Sequence, residues 1–286
     1  MSTVNYHVIG ISRSHLREIG ILLKADALVI FSPMVSGLDA QVKHNIESLD
    51  SNRADRLVVI LDTYGGVIEV VERIVNTIRK YYNEMDVIIP DHAMSAGTIF
   101  ALSADNIYMN YFSYLGPIDP QVVQSDGRLS PALGYLEQFN RLSDESKDRE
   151  LTQAEAILLE KLDLADLYRY DQAREHSVEL IEDWLSKYKF KSWINTETKK
   201  EIVTEEKRKS RAKDIAKQLN NTKRWHAHGR GINMHIMKEE LKLKIEDFDT
   251  NDKLSSQIRL LYDLITDYMG KTGLNMHVDI QGYKNE

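Results

Sequence analysis

Apolar residues fall into short unbroken runs over the first 110 positions and at helical spacing over much of the remainder. ALVIFSPMV (27–35), which is partly β-branched, DRLVVILDT (55–63), DVIIPDHA (86–93) and NIYMN (106–110) have strand length. Runs of this kind predict strands buried on both faces. Between them, LDAQVKHNIESL (38–49), VIEVVERIVNTIRKYY (67–82) and SAGTIFALSA (95–104) carry the periodicity of helices. Strands alternating with helices predict βα crossovers and an α/β fold with a mostly parallel sheet.

The texture changes after residue 121. SDGRLSPALG (125–134) reads as a loop or short excursion. Residues 150–188 keep helical spacing for about ten turns, and Thr152 with Glu155 has the pattern of a capping box. The charged stretch 195–219 reads as a solvated helix face, residues 221–248 as a loop followed by a helix, and LSSQIRLLYDLITDYM (254–269) as another amphipathic helix. This gives a helical lead-in over 1–24, a main domain over 25–248 with a helical excursion at about 150–220, and a C-terminal helix and tail over 249–286. The apolar stripe after residue 150 is larger than one small sheet can cover, so a homo-oligomer is expected.

Composition narrows the classes. The chain has 286 residues, 42% of them hydrophobic, a formal charge of −7 and no cysteine. Disulfides, thiolate metal sites and cysteine nucleophiles are excluded, and a cytoplasmic location is expected. The negative balance gives no support to nucleic acid as a partner. No window has the apolar length of a membrane span, and the N-terminus lacks the basic start and apolar core of a secretory signal.

Two strand ends stand out chemically. LDTYGG closes the second strand on Gly65 and Gly66, whose backbone can approach a ligand closely. The third runs into DHAMSAG, which sets Ser95 at the head of a helix whose first N–H groups have no intrahelical partner. Side by side, they would offer the N–H groups of Gly66 and Ala96 to an oxyanion on a carbon bonded to Ser95. The simpler alternative is that Ser95 caps the helix.

The segments LDTYGGVIEVVERI, MSAGTIFALSADNIYMN and YLGPIDPQ resemble those of the Clp-fold serine peptidases, and most of all the serine dehydrogenase proteinase branch, related to signal peptide peptidase A. The resemblance covers residues ~27–121 and returns more weakly at RWHAHGRGINMHIMKEELKLK (224–244). It implies a Clp/crotonase-like spiral of β-β-α units, usually oligomeric, with a peptide or protein as substrate and no cofactor. Where Clp peptidases carry their histidine, this chain has Ile118, Asp119 and Pro120. The order implied by the resemblance is therefore serine, aspartate, histidine, with Ser95 as nucleophile, His228 as base in preference to His226, and Asp119 orienting it. A triad is defined by geometry, not chain order.

Several alternatives stand beside this reading. Lys147 is a possible base of the kind signal peptide peptidase A uses, and burial would have to lower its pKa. Asp119 could be a turn residue and His228 an ordinary loop histidine. His92 could support the site or be structural. Tyr64, Tyr111 and Tyr114 could line a substrate groove or lie on a half-buried surface. His226, His228 and His235 are spaced too loosely for a strong zinc motif. At the level of function, the alternatives are a silent Clp-fold scaffold that binds a peptide or partner protein, and a crotonase-like acyl-CoA enzyme.

Overall fold

The computed structural model describes residues 3–50, 53–123, 129–196 and 200–283. Of the excursion expected at 125–134, residues 125–128 lie outside the described set. Helix α1 (Thr3–Leu23) leads into strand β1 (Asp26–Phe31), followed by α2 (Leu38–Ser48), β2 (Arg56–Asp62), α3 (Ile68–Tyr81) and β3 (Glu84–Ile88). Next come β4 (His92–Ala93), α4 (Ala96–Leu102), β5 (Asn106–Met109), β6 (Tyr114–Leu115), β7 (Gln121–Val123) and β8 (Leu129–Pro131). The helical half holds α5 (Ala132–Glu145), α6 (Gln153–Glu160), α7 (Leu164–Trp184), a π-helical turn (Leu185–Lys189) and α8 (Glu205–Leu219). The chain closes with α9 (Thr222–Trp225), β9 (Ile232–Asn233), α10 (Met234–Glu239), β10 (Glu246–Asp247), α11 (Asp252–Thr272) and β11 (His277–Gln281).

The main sheet has the order β10-β5-β3-β2-β1-β11, parallel throughout except for β11 against β1. Its central strands are buried on both faces, as their unbroken apolar runs require. Alternate side chains serve opposite layers. Leu28, Ile30, Leu57, Val59 and Leu61 join a core shared with α2, α3, α4, α7 and α8, while Ala27, Val29, Phe31, Val58 and Ile60 pack with α1 and α11.

The expected third strand divides in two. Pro90 lies within the run 86–93, and β3 ends at Ile88. The chain then starts β4, which belongs to a second, three-stranded sheet of order β4-β6-β9. A parallel bridge between Thr63 and Ala93 joins this sheet to the end of β2. The long helical pattern at 150–188 also divides. Thr152 caps α6 with a complete capping box, Asp163 caps α7, and a π turn follows Trp184. The C-terminal segment, expected as a helix and tail, adds strand β11 to the main sheet, and Arg13 of α1 pairs with Asp279 of β11 at 2.9 Å. No helix among the described residues is long and apolar enough to cross a membrane.

Candidate active site

The three-stranded sheet sets the positions of Ser95, Asp119 and His228. β4 and β6 run parallel, with His92 opposite Tyr114 and Ala93 opposite Leu115. β9 runs antiparallel to β6, with Tyr114 opposite Asn233 and Leu115 opposite Ile232. Ser95 follows the end of β4, Asp119 follows the end of β6, and His228 precedes the start of β9. Strand direction therefore brings all three to one end of the sheet. Continuing the β6–β9 register past Leu115 and Ile232 sets position 119 against position 228. The side chains meet there, with His228 Nδ1 2.9 Å from Asp119 Oδ1.

Asp119 is almost wholly buried, whereas the His228 side chain is 21% exposed. The second carboxylate oxygen, Oδ2, accepts from Gln121 Nε2 at 2.7 Å. Both oxygens are thus engaged, and an unpaired buried carboxylate is avoided. One imidazole nitrogen faces the carboxylate, leaving Nε2 for another partner. His226, by contrast, is exposed at the end of α9, with φ 62°.

Ser95 stands at the N-cap position of α4 without capping it: its side chain makes no cap hydrogen bond, and its backbone has φ 52° and ψ −118°. These torsions lie outside the regions open to a non-glycine residue and cost on the order of 1–3 kcal/mol. Met94 and Ala96, on either side, are buried, and Ser95 itself is half-buried.

The Gly65–Gly66 turn lies directly against this strained turn. A Cβ on Gly65 would come within 2.6 Å of Met94 O, 2.8 Å of Ser95 Cβ and 3.2 Å of Ala96 N. Both glycines have positive φ, 92° and 143°. Gly65 O and the Val67 N–H are tied to Met34, by a bond from Met34 N–H at 2.8 Å and one to Met34 O at 2.7 Å. The N–H groups of Gly66 and Ala96 have no acceptor among the described residues. Unsatisfied donors beside a strained serine are suited to a developing oxyanion.

Two features were not singled out in the sequence. Thr98 Oγ1 lies 2.8 Å from Ala93 O and 2.9 Å from Gly116 O, and it accepts from Gly116 N–H at 2.9 Å. With one proton, the hydroxyl donates to one carbonyl at a time; it stitches the Ser95 turn to the loop leading to Asp119. Gln121 is the other, and its position beside Asp119 in GPIDPQ is the only signal it carries.

His92 is buried, with Nδ1 3.0 Å from Asp62 Oδ1 and 3.2 Å from Asp91 Oδ2. Burial opposes its protonation, but hydrogen bonds and charge from Asp62 and then Asp91 outweigh burial and raise the imidazole pKa. The rings of Tyr64 and Tyr114 lie 4.2 and 5.7 Å from it, and Tyr262 Oη donates to Asp91 at 2.8 Å. Asp62, Asp91 and His92 are also the three Asp, Glu or His side chains among the described residues whose ligand atoms come within reach of a common ion. They are engaged with one another and with Tyr262, and His226, His228 and His235 form no such group. Tyr64 and Tyr111 are exposed, Phe112 lies edge-on to Tyr111, and Tyr114 is half-buried.

Lys147 lies beyond α5. Its side chain is 70% exposed, with Nζ 2.7 Å from Asp144. It lacks the burial a lysine base requires.

Residues 44–196 match the family described as ClpP-like SDH-type serine proteinase, more than half of the chain. The chain is similar to the uncharacterized protein MJ1495 of Methanocaldococcus jannaschii, 36% identical over 93 residues, which are 32% of this chain and 30% of that protein. It is also similar to the uncharacterized protein MJ0137 of the same organism, 41% identical over 66 residues and 23% of each chain. The matches thus span less than a third of either relative. Among solved structures, ClpP1 from Listeria monocytogenes aligns over 80% of this chain and 94% of its own, with 14% identity and a TM-score of 0.45. A mutant of 1510-N, a membrane-bound stomatin-specific protease, solved with a substrate peptide, aligns over 50% and 77%, with 24% identity and a TM-score of 0.33.

Proposed function

The chain belongs to the ClpP-like SDH-type serine proteinase family, and on that premise we propose that it is a serine hydrolase cleaving peptide bonds through an acyl-enzyme on Ser95. The observation that carries this reading is the 2.9 Å contact between Asp119 and His228 at the end of the small sheet where Ser95 occupies an uncapped, strained turn. Asp119 fixes the imidazole through Nδ1, and Nε2 accepts the Ser95 proton as the hydroxyl attacks a carbonyl carbon. The N–H groups of Gly66 and Ala96 receive the oxyanion. Collapse of the tetrahedral species expels the amine, which takes its proton from the imidazolium. Water then releases the acyl group by the same route.

The reading extends to assembly and location. The chain acts as a homo-oligomer on a peptide or protein, and its cysteine-free composition supports a cytoplasmic setting. Support for an oligomer comes from α6, which buries none of its residues although Ile157 and Leu158 lie on it.

The test is hydrolysis of a generic peptide or ester by single variants. Ser95→Ala should abolish turnover, His228→Ala should lower it by at least ~100-fold, the scale of a lost general base, and Lys147→Ala should leave it unchanged. An inactive Lys147→Ala beside an active His228→Ala would replace the triad with a lysine dyad.

A further inference from the structure

A pocket independent of the reading of Ser95 lies at the opposite end of the main sheet. Asp105 and Asn106 mark its floor at the start of β5, whereas the Ser95 turn follows the far end of β4. The cavity measures ≈ 1000 Å³, the upper end of the range for small-molecule sites. Five cations line it, namely Lys189, Arg211, Lys238, Lys242 and Lys244, against two carboxylates, Asp105 and Glu239. Five minus two leaves a local charge of +3 in a chain whose formal charge is −7.

The carboxylates are already committed. Asp105 pairs with Arg79 at 2.8 Å and with Lys191 at 2.7 Å, and Glu239 pairs with Lys242 at 3.4 Å. Lys244 pairs outward with Glu246 at 2.6 Å. Lys189, Arg211 and Lys238 have no carboxylate partner among the described residues, and all three are partly buried. Among the described residues Arg211 donates only to the carbonyl of Leu241, at 2.6 Å. Cations are seldom held out of bulk water unpaired.

The way Lys189 is presented is itself unusual. It ends the π turn Leu185–Lys189, in which Phe190 N–H donates to Leu185 O at 2.8 Å. Such turns are rare and concentrate at functional positions. Burial, and then the charge of Lys244, pushes the Lys189 ammonium down to about 8, against the weaker pull of Glu246, Asp86 and Asp105. Beside it, the rings of Phe190 and Trp193 meet edge-on at 5.7 Å, giving the wall an aromatic face.

We infer that this pocket binds a nucleoside polyphosphate, its phosphate chain on Lys189, Arg211 and Lys238 and its base against Trp193. Three unpaired cations exceed what one monoanion needs, and the volume and aromatic wall accommodate more than a phosphate chain alone.

Trp193 supplies the readout, because it is partly exposed while Trp184 and Trp225 are buried. The full chain is titrated with ATP, tripolyphosphate, adenosine and a short poly-aspartate peptide at fixed ionic strength. Trp fluorescence excited at the red edge and thermal shift are both recorded. The expected result is saturable quenching by ATP below ~1 mM, at least tenfold weaker binding of tripolyphosphate, and no thermal shift with adenosine. The double variant Lys189→Gln, Lys238→Gln should weaken ATP at least tenfold while melting near the parent temperature, since neither lysine has an ion pair to lose. Trp193→Phe should remove the quench and retain the thermal shift. Three outcomes overturn the inference: no saturable ATP binding by either readout, ATP binding unchanged in the double variant, or poly-aspartate binding more tightly than ATP. Equal binding of tripolyphosphate and ATP overturns the nucleoside part of it.

Discussion

The backbone torsions of Ser95 cost on the order of 1–3 kcal/mol, and no cap hydrogen bond offsets them. A serine serving only as a cap would have extended torsions and a bond to the second or third helical N–H. Strain that the surroundings maintain without a stabilising return is common where a side chain must be presented for chemistry. The neighbouring His92 offers a different test. Its folded-state pKa is raised, so the folded chain holds the proton more tightly than the unfolded chain does. That stability is fully present below the ordinary histidine pKa of about 6.5 and is lost as pH rises through the folded value. His92→Gln should therefore lower the melting temperature more at pH 5.5 than at pH 9, measured by calorimetry at fixed salt. A larger loss at alkaline pH would show that the Asp62–His92–Asp91 contacts do not govern its titration.

At the scale of elements, the paired glycines after β2 decide whether the site forms. Gly65 has φ 92°, and a Cβ there would collide with Met94 O and Ser95 Cβ. Gly65→Ala should cost at least ~1 kcal/mol from backbone strain alone and should abolish hydrolysis while circular dichroism retains the parent spectrum. Wild-type turnover in this variant would mean that the two turns are not in contact. The central strands of the main sheet were legible because burial on both faces leaves an unbroken apolar signature, as in LVVIL of β2, whereas the two-residue β10 lies in a stretch expected to be loop and helix. Strand β11 was not legible, because HVDIQ is a short edge strand whose Asp279 is there to meet Arg13 of α1, a contact no local pattern announces. The break in the third strand hung on Pro90, and the two-residue strands β4, β6 and β9 are too short to carry a period. Yet those three strands build the site. Asp119 and His228 stand out through the segments GPIDPQ and HGRG, while their meeting across 109 positions depends on the pairing of β6 with β9. The hydroxyl of Thr98 and the amide of Gln121 had no periodic or compositional signal.

At the scale of the whole molecule, the two cores on the faces of the main sheet leave α6 and the start of α7 uncovered. Ile157, Leu158, Leu164 and Tyr168 are exposed along this stretch. A second copy is expected to cover it, and light scattering at micromolar concentration should report a mass above the 33.0 kDa of one chain. Ile157→Asp with Leu158→Asp should reduce that mass without lowering the melting temperature of the monomer, because neither residue is buried. A compact monomer for the unmodified chain would contradict the expectation.

The proposal that Ser95 is an activated nucleophile and not a helix cap has a direct chemical test. A fluorophosphonate probe reacts with serines whose hydroxyl is deprotonated by a neighbouring base, and mass spectrometry of the digested protein locates the adduct. At neutral pH one labelled peptide is expected, the one containing Ser95. Labelling should be lost in Ser95→Ala and strongly slowed in His228→Ala and Asp119→Asn. A folded chain that takes up no probe, or one whose adduct persists unchanged in Ser95→Ala, would contradict it.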